Sequence, residues 1–268
     1  MKIEEELQVK IGVIGTGNIA TYLLETIQDQ HQVDGEITAI FGRNQEVGEA
    51  LAHTYGIPFF TDFKEFIEMP TDMIIEVATV EVAHKYMKDI LQYKKDVMIS
   101  SIGAFKDEVF LQEMEQIAKA HHKQIHLPSG AIGGLDLLQS ANALGGLHKV
   151  SITTRKSPAS LGLESIISEK VLYEGSARNA IEQFPKNVNV ALLLSIMGIG
   201  VDHTSVTVIA DPNINRNTHE VKAEGTFGNM TMEIENQPMP NNPKTSYLAA
   251  LSILSTLKNK ETSIKLGS

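Results

Sequence analysis

The stretch GVIGTGNIA, residues 12–20, constrains the fold more than any other part of the chain. An apolar run from Val9 ends at Gly15, and Ile19, Leu23 and Ile27 then recur on one helical face. The junction between strand and helix reads Gly15-x-Gly17-x-x-Ala20. In that spacing the first glycine makes a tight turn and the second lets an anionic ligand approach the backbone. The small third residue lets the helix pack closely on the strand. The free N–H groups and the dipole at the helix start favour a pyrophosphate. Gly15, Gly17, Asn18 and Ile19 are therefore candidate dinucleotide-binding residues.

The motif gains weight from the segments on its C-terminal side. EITAIFG, TDMIIEVA, KDVMISS and KQIHLPSG read as short buried strands, separated by helical segments such as QEVGEALAHTYG, EVAHKYMKDILQY and FKDEVFLQEMEQIAKAHH. Strands alternating with helices at this length build a parallel sheet covered on both faces, with right-handed crossovers. The first half is thus expected to be an α/β, Rossmann-type doubly wound sheet. At the end of its second strand, where an NAD-preferring domain carries an acid, the sequence reads AIFGRN. Gly42 holds the acidic position, and Arg43 with Asn44 come next. Without the carboxylate a 2′-phosphate is not repelled, and Arg43 can pair with it. The expected cofactor is NAD or NADP.

The texture changes near Pro128. Seven of the nine prolines lie at or beyond it, and the strands become longer and alternating: HKVSITTRK, KVLYEGSA, HTSVTVIADP, HEVKAEGTFG and NMTMEIENQP. One helix, SARNAIEQFPKNVNVALLLSIMG, is expected to cross them, and a last one, SYLAALSILSTLK, comes after PMPNNPKTS. The expected organisation is a nucleotide-binding domain over 1–128 and an α+β catalytic and oligomerisation domain with a mixed sheet over 129–242. A C-terminal helix within 243–268 is expected to pack back on the first domain. A net charge of -10 argues against nucleic acid and anionic membranes as partners, and leaves any anionic substrate to be held by local cations. No run is long enough and apolar enough to span a bilayer. The absence of cysteine excludes disulfides and thiolate zinc sites and fits a cytoplasmic location. No metal is expected.

Four stretches of the second half are too polar for plain scaffolding. PSGAIGGLD (128–136) is glycine-rich. FPKNVNVA (184–191) places Lys186, Asn187 and Asn189 just inside a helix that favours other residues. ADPNINRNTHE (210–220) carries His219, and NNPKTS (241–246) puts Lys244, Thr245 and Ser246 at a helix start. Taken in order with GVIGTGNIA, TTRK, EGSAR, IADP, NTHEV, GTFG and NPKTS, these motifs resemble the L-aspartate dehydrogenases over nearly the whole chain. The resemblance implies a homodimer or larger homo-oligomer that forms iminoaspartate for pyridine-nucleotide synthesis. It implies that His219 matches the active-site histidine and that Ala131 and Asn189 match residues touching the nicotinamide cofactor. Gly42 departs from the acid that many members carry, which leaves the choice between the two cofactors open.

The chemistry agrees with that assignment. Oxidising a primary amine by hydride loss needs the neutral amine, so a base must take a proton; hydrolysis of the imine needs an activated water. An imidazole with a reference pKa of about 6.5 can serve both steps. Two substrate carboxylates need two sets of donors. Lys244, Thr245 and Ser246 are candidates for one set, and Arg155, Lys156, Lys186 and Asn187 for the other. Lys244 is the alternative proton acceptor. His219 is then expected to face the substrate amine between the two domains. Two competing readings are an imine reductase similar to dihydrodipicolinate reductase and a nucleotide sensor without catalysis.

Overall fold

A computed structural model describes residues 8–184, 189–239 and 242–264. The chain divides into two compact units, one up to Pro128 together with Ile253–Glu261, the other from Ser129 to Ser252.

The first unit alternates strand and helix: β1 (Lys10–Ile14), α1 (Asn18–Leu23, continued by a π-helical stretch over Leu24–Asp29), β2 (Glu36–Phe41), α2 (Gln45–Tyr55), β3 (Phe59–Phe60), α3 (Phe63–Ile67), β4 (Met73–Glu76), α4 (Val80–Gln92), β5 (Asp96–Ile99), α5 (Glu108–Ala120) and β6 (Ile125–His126). The six strands run in the order β3-β2-β1-β4-β5-β6, every neighbouring pair parallel. The order reverses direction beside β1, and this is where an open parallel sheet leaves a crevice at the carboxyl ends of its strands. Local chemistry sets the helix starts. Asn44, Asp62, Thr79 and Asp107 each accept a backbone N–H of the first turn of α2, α3, α4 and α5. Gly56 closes α2 in the left-handed region, as its position after the last apolar residue leads one to expect.

In the second unit come α6 (Leu135–Asn142), β7 (Leu147–Lys156), β8 (Lys170–Ser176), α7 (Ala177–Gln183), α8 (Asn189–Met197), β9 (Thr204–Ala210), β10 (Asn217–Gly225), β11 (Gly228–Asn236), β12 (Pro238–Met239) and β13 (Asn242–Ser246). Five strands form a mixed sheet in the order β11-β10-β7-β9-β8; only β7 and β9 are parallel. Its core face is apolar for most of its length: Val150 and Ile152 from β7, Val206 and Val208 from β9, Val221 and Ala223 from β10 are all buried. The end of α8 covers that face, since a Cβ on Gly198 would touch Val150.

Two local expectations change. The single helix expected across 176–198 is two, α7 and α8. The NNPKTS stretch is not a helix start along its length: Asn242–Ser246 pairs as β13 with β12, and only Ser246 stands at the N-cap of the last helix, α9 (Tyr247–Glu261). A short helix, α6, comes directly after the glycine-rich segment.

The far half of α9 completes the first unit. Ile253, Leu254 and Leu257 join the cluster formed by Ile11, Leu23, Ile27, Ile40 and Met98. Lys260 Nζ reaches Asp96 Oδ2 at 2.6 Å. His126 lies in the same unit with its Nε2 enclosed and without a hydrogen-bond partner among the described residues. Burial, and after it the charge of Lys260, push this imidazole down to about 4. Folding therefore favours its neutral form. The stability it contributes is complete above pH 6.5 and is lost as pH falls through the window toward 4. His126→Phe is expected to take up to one fewer proton on unfolding in that window, and to show a shallower acid decline in thermal midpoint. An unchanged pH slope would disprove the assignment.

Candidate active site

In the first unit the glycine turn opens onto a groove of about 270 Å³ lined by Gly15, Thr16, Gly17, Gly42, Arg43, Asn44, Val77, Ala78 and Val82. Gly15 adopts a φ of +127°, and a Cβ there would come within 2.8 Å of the carbonyl oxygen of Val77. Only glycine fits that turn. At Gly17 a Cβ would meet nothing within 4 Å, so the backbone is open to whatever enters the groove. Gly17 is the N-cap of α1 and offers no side-chain cap, which leaves the first-turn N–H groups at Asn18 and Ile19 available to an anion. The cradle fits a dinucleotide: a dry tight turn, open N–H groups and an exposed cation, Arg43, beside the end of β2. Asn44 uses its Oδ1 to cap α2 by accepting from Val47 N at 3.1 Å, so the part of its side chain left for a ligand is the NH₂. Gly42 has a packing reason. A Cβ there would stand 2.7 Å from Thr16 Cγ2.

The second unit holds the histidine. His219 lies on β10 opposite Thr154 of β7 and Ile234 of β11, on the sheet's core face, and is only 3% exposed. Its Nδ1 is 2.9 Å from Thr154 Oγ1, and its Nε2 has no hydrogen-bond partner among the described residues. Two residues further along β7, on the same face, comes Lys156. Burial pushes the His219 imidazole down to about 3, with the positive charge of Lys156 adding to the effect. Burial alone pushes the Lys156 ammonium down to about 8. Arg155, on the opposite face, is tied to Glu169 and lies 3.5 Å from Asp211.

Around the ends of β10 and β11 lies a polar pocket of about 160 Å³ lined by Ser157, Ser160, Asn215, Arg216, Asn217, Asn236, Pro238 and Ser246. Asn236 is 3% exposed and donates from Nδ2 to the carbonyl oxygen of Ala131 at 3.0 Å. Met230 and Met232, on the same face of β11, pack against Gly134 and Gly133. The glycine-rich segment 129–134 thus rests on this strand.

Gly15, Gly17, Arg43 and Asn44 share the groove of the first unit, with Asn18 and Ile19 at its helix start. His219, Ala131 and Ser246 belong to the second unit, Ser246 in the polar pocket and Ala131 against Asn236. Asn189 is the exposed first residue of α8, and Thr245 is half-buried. Lys186 and Asn187 lie outside the described residues, as does the side chain of Lys244. Sequence reasoning missed Thr154, Asn236 and Arg216; the first two are ordinary polar positions in alternating strands until the register is known. Among the described residues no cluster of histidine and carboxylates could hold a metal, and no helix is long and apolar enough to cross a membrane.

Comparison with known proteins decides the family. The model for the aspartate dehydrogenase C-terminal domain matches residues 136–260, and that for the homoserine dehydrogenase NAD-binding domain matches 15–128. The L-aspartate dehydrogenase of Methanococcoides burtonii is 41% identical, with 97% of this chain and 99% of that protein covered. That of Methanospirillum hungatei is 40% identical over 97% and 100%.

The chain belongs to the L-aspartate dehydrogenase family.

It is an NAD(P)-dependent oxidoreductase. The crystal structure of aspartate dehydrogenase from Thermotoga maritima is similar over 97% of this chain and 99% of that one, with a TM-score of 0.78 and 31% identity. Scyllo-inositol dehydrogenase from Lactobacillus casei, at 11% identity and a TM-score of 0.58, shares the fold alone.

The bond from Thr154 is testable by itself. Thr154→Val keeps the shape and leaves Nδ1 without a partner in dry surroundings, a loss of about 1–3 kcal/mol. Thr154→Ser restores the bond. The valine variant is expected to unfold at a lower denaturant concentration and to turn over more slowly, and the serine variant to recover both. Equal behaviour of the two variants would rule out a role for the hydroxyl.

Proposed function

We propose that the chain oxidises L-aspartate to iminoaspartate, which water converts to oxaloacetate and ammonia, with His219 as the acid-base group. The overall step is L-aspartate plus oxidised cofactor to iminoaspartate, reduced cofactor and a proton. The nicotinamide supplies the hydride acceptor; the protein supplies position and proton handling. The observation that carries the reading is the placement of His219: buried, fixed on Nδ1 by Thr154, neutral at pH 7, with Nε2 uncommitted. With the hydrogen on Nδ1 directed at Thr154 Oγ1, Nε2 is the lone pair that takes a proton from the substrate amine and returns it during hydrolysis.

The low basicity of the ring in the empty site comes from burial and from Lys156. A dicarboxylate counters the second influence, because its negative charges neutralise the ammonium and favour the imidazolium. The site is thus a weak base when empty and a stronger one when loaded. Lys156 is the cation best placed to hold one carboxylate near the ring, and Lys186, Asn187, Lys244, Thr245 and Ser246 are the further candidates. NADP is accepted beside NAD because Gly42 presents no carboxylate to a 2′-phosphate and Arg43 is available to pair with it. Assembly as a homodimer or larger homo-oligomer, a cytoplasmic location and service to pyridine-nucleotide synthesis belong to the same reading.

The test is the appearance of reduced nicotinamide with L-aspartate and each cofactor, run beside D-aspartate, glutamate and malate. His219→Ala is expected to cut turnover by about 10²-fold or more while cofactor binding stays near normal. Near-normal turnover would pass the proton role to Lys244. The role of Lys156 is read with succinate, which has no amine to titrate. Its inhibition constant is expected to rise with pH above about 8, as the ammonium is lost, and Lys156→Arg should abolish that rise. A flat profile in the unaltered enzyme would remove Lys156 from carboxylate binding.

A further inference from the structure

The amide of Asn236 is half satisfied. It is almost wholly buried, its Nδ2 donates to Ala131 O at 3.0 Å, and its Oδ1 is enclosed with no hydrogen-bond partner among the described residues. The orientation is not a free choice. A carbonyl oxygen only accepts, so the NH₂ must face Ala131 and Oδ1 must face the other way. A buried acceptor without a donor costs about 1–3 kcal/mol, and an orphan of this kind calls for an unseen partner. The side chain lines the polar pocket together with Ser157, Ser160, Arg216 and Ser246.

The lining says what the partner carries. Arg216, whose guanidinium also lies 3.7 Å from Glu235 Oε2, and the hydroxyls of Ser246 and of Ser157 and Ser160, which bond each other at 2.9 Å, are groups that can receive an anion. Asn236 Oδ1 repels an anion and needs an N–H or O–H. A ligand suited to both bears a carboxylate and a hydrogen-bond donor a few bonds apart, which describes an α-amino acid. Register places this amide close to the histidine. Asn236 pairs with Asn217 and His219 with Ile234, so Asn236 and His219 are diagonal neighbours on one face of the β10–β11 ladder. Diagonal neighbours stand roughly 7–8 Å apart, a span that one amine nitrogen can bridge between two side chains.

We infer that Asn236 Oδ1 accepts an N–H of the substrate amine and so makes Asn236 a specificity-determining residue, selecting an amino acid over a plain dicarboxylate. The inference rests on the reading of this site as one that oxidises an amino acid. The amine held between Asn236 and His219 keeps one N–H on the amide while the imidazole takes another proton, and the carboxylate lies toward Arg216. No bond is made or broken by Asn236.

Binding decides this without turnover. Calorimetric titration of the full-length enzyme with L-aspartate and with succinate compares two dicarboxylates that differ by the amine. Asn236→Ala is expected to weaken L-aspartate about tenfold and to leave succinate within about twofold. Arg216→Met is expected to weaken both together. Asn236→Asp keeps an acceptor oxygen while losing the donor to Ala131, and is expected to keep the preference for aspartate over succinate. An equal loss of both ligands in Asn236→Ala, or no loss of either, overturns the proposal and leaves Asn236 as a prop for the segment around Ala131. Should the alanine variant not fold, loss of the preference in Asn236→Asp overturns it equally. Absence of aspartate turnover in the unaltered enzyme would count against the assigned reaction, whereas the ligand difference would still report on Asn236.

Discussion

The two-residue period of one strand governs the second unit. Along β7 the side chains on the core face run Val150, Ile152, Thr154, Lys156. The first two are buried hydrocarbon of the kind any sheet places under a helix; the last two are polar and still largely buried. A face that changes from dry to polar within about 14 Å of strand has an edge where polar groups lack bulk water but are not sealed in apolar packing. His219 is held at that edge by pairing with Thr154, and Asn236 by the hairpin register one step away. A one-residue slip of β10 would turn His219 to the other face and bring Thr218 and Glu220 inward. The placement of His219 and the register of the sheet are the same constraint here.

That edge explains the electrostatics. Burial opposes charge on every group it encloses, so it disfavours the charged forms of His219 and Lys156 together, and the charge of Lys156 further opposes one on His219. Asn236 Oδ1 is enclosed in the same unit, and burial costs it likewise until a donor reaches it.

Much of the first unit is legible in the sequence. The alternation of apolar runs with helical spacing, the glycine turn and the caps at Asp62 and Gly56 all depend on neighbours within a few residues, and a parallel sheet leaves little freedom in joining them. The site in the second unit is legible only as a set of polar stretches. His219 stands out because a histidine in NTHEV matches a family pattern. Thr154 and Asn236 carry no local signal, for each is a polar residue in an alternating strand, and their roles arise from pairing across 65 and 105 positions of chain. The lysine-threonine-serine corner points to a helix start because Pro243 ahead of small hydroxyl residues favours one. Pairing with β12 makes it a strand instead, a tertiary effect overriding local propensity. The end of α7 at Gln183 has a readable cause in the sequence, since a proline follows two positions later.

The nucleotide groove shows packing and specificity acting through one contact. Gly42 reads as a missing carboxylate, but Thr16 also stands where the Cβ of any larger residue would go. The residue between the two turn glycines therefore helps decide which residue can stand at the end of β2. An acid at 42 requires Thr16 to rotate away or be replaced by something smaller, so the two positions are coupled through van der Waals contact rather than charge. A chain with a net charge of -10 that must hold a dinucleotide and a dicarboxylate cannot rely on its overall field for attraction. Local cations are what such a chain has to offer, and Arg43 lines the groove in which the crowded Gly42 leaves no room for a carboxylate.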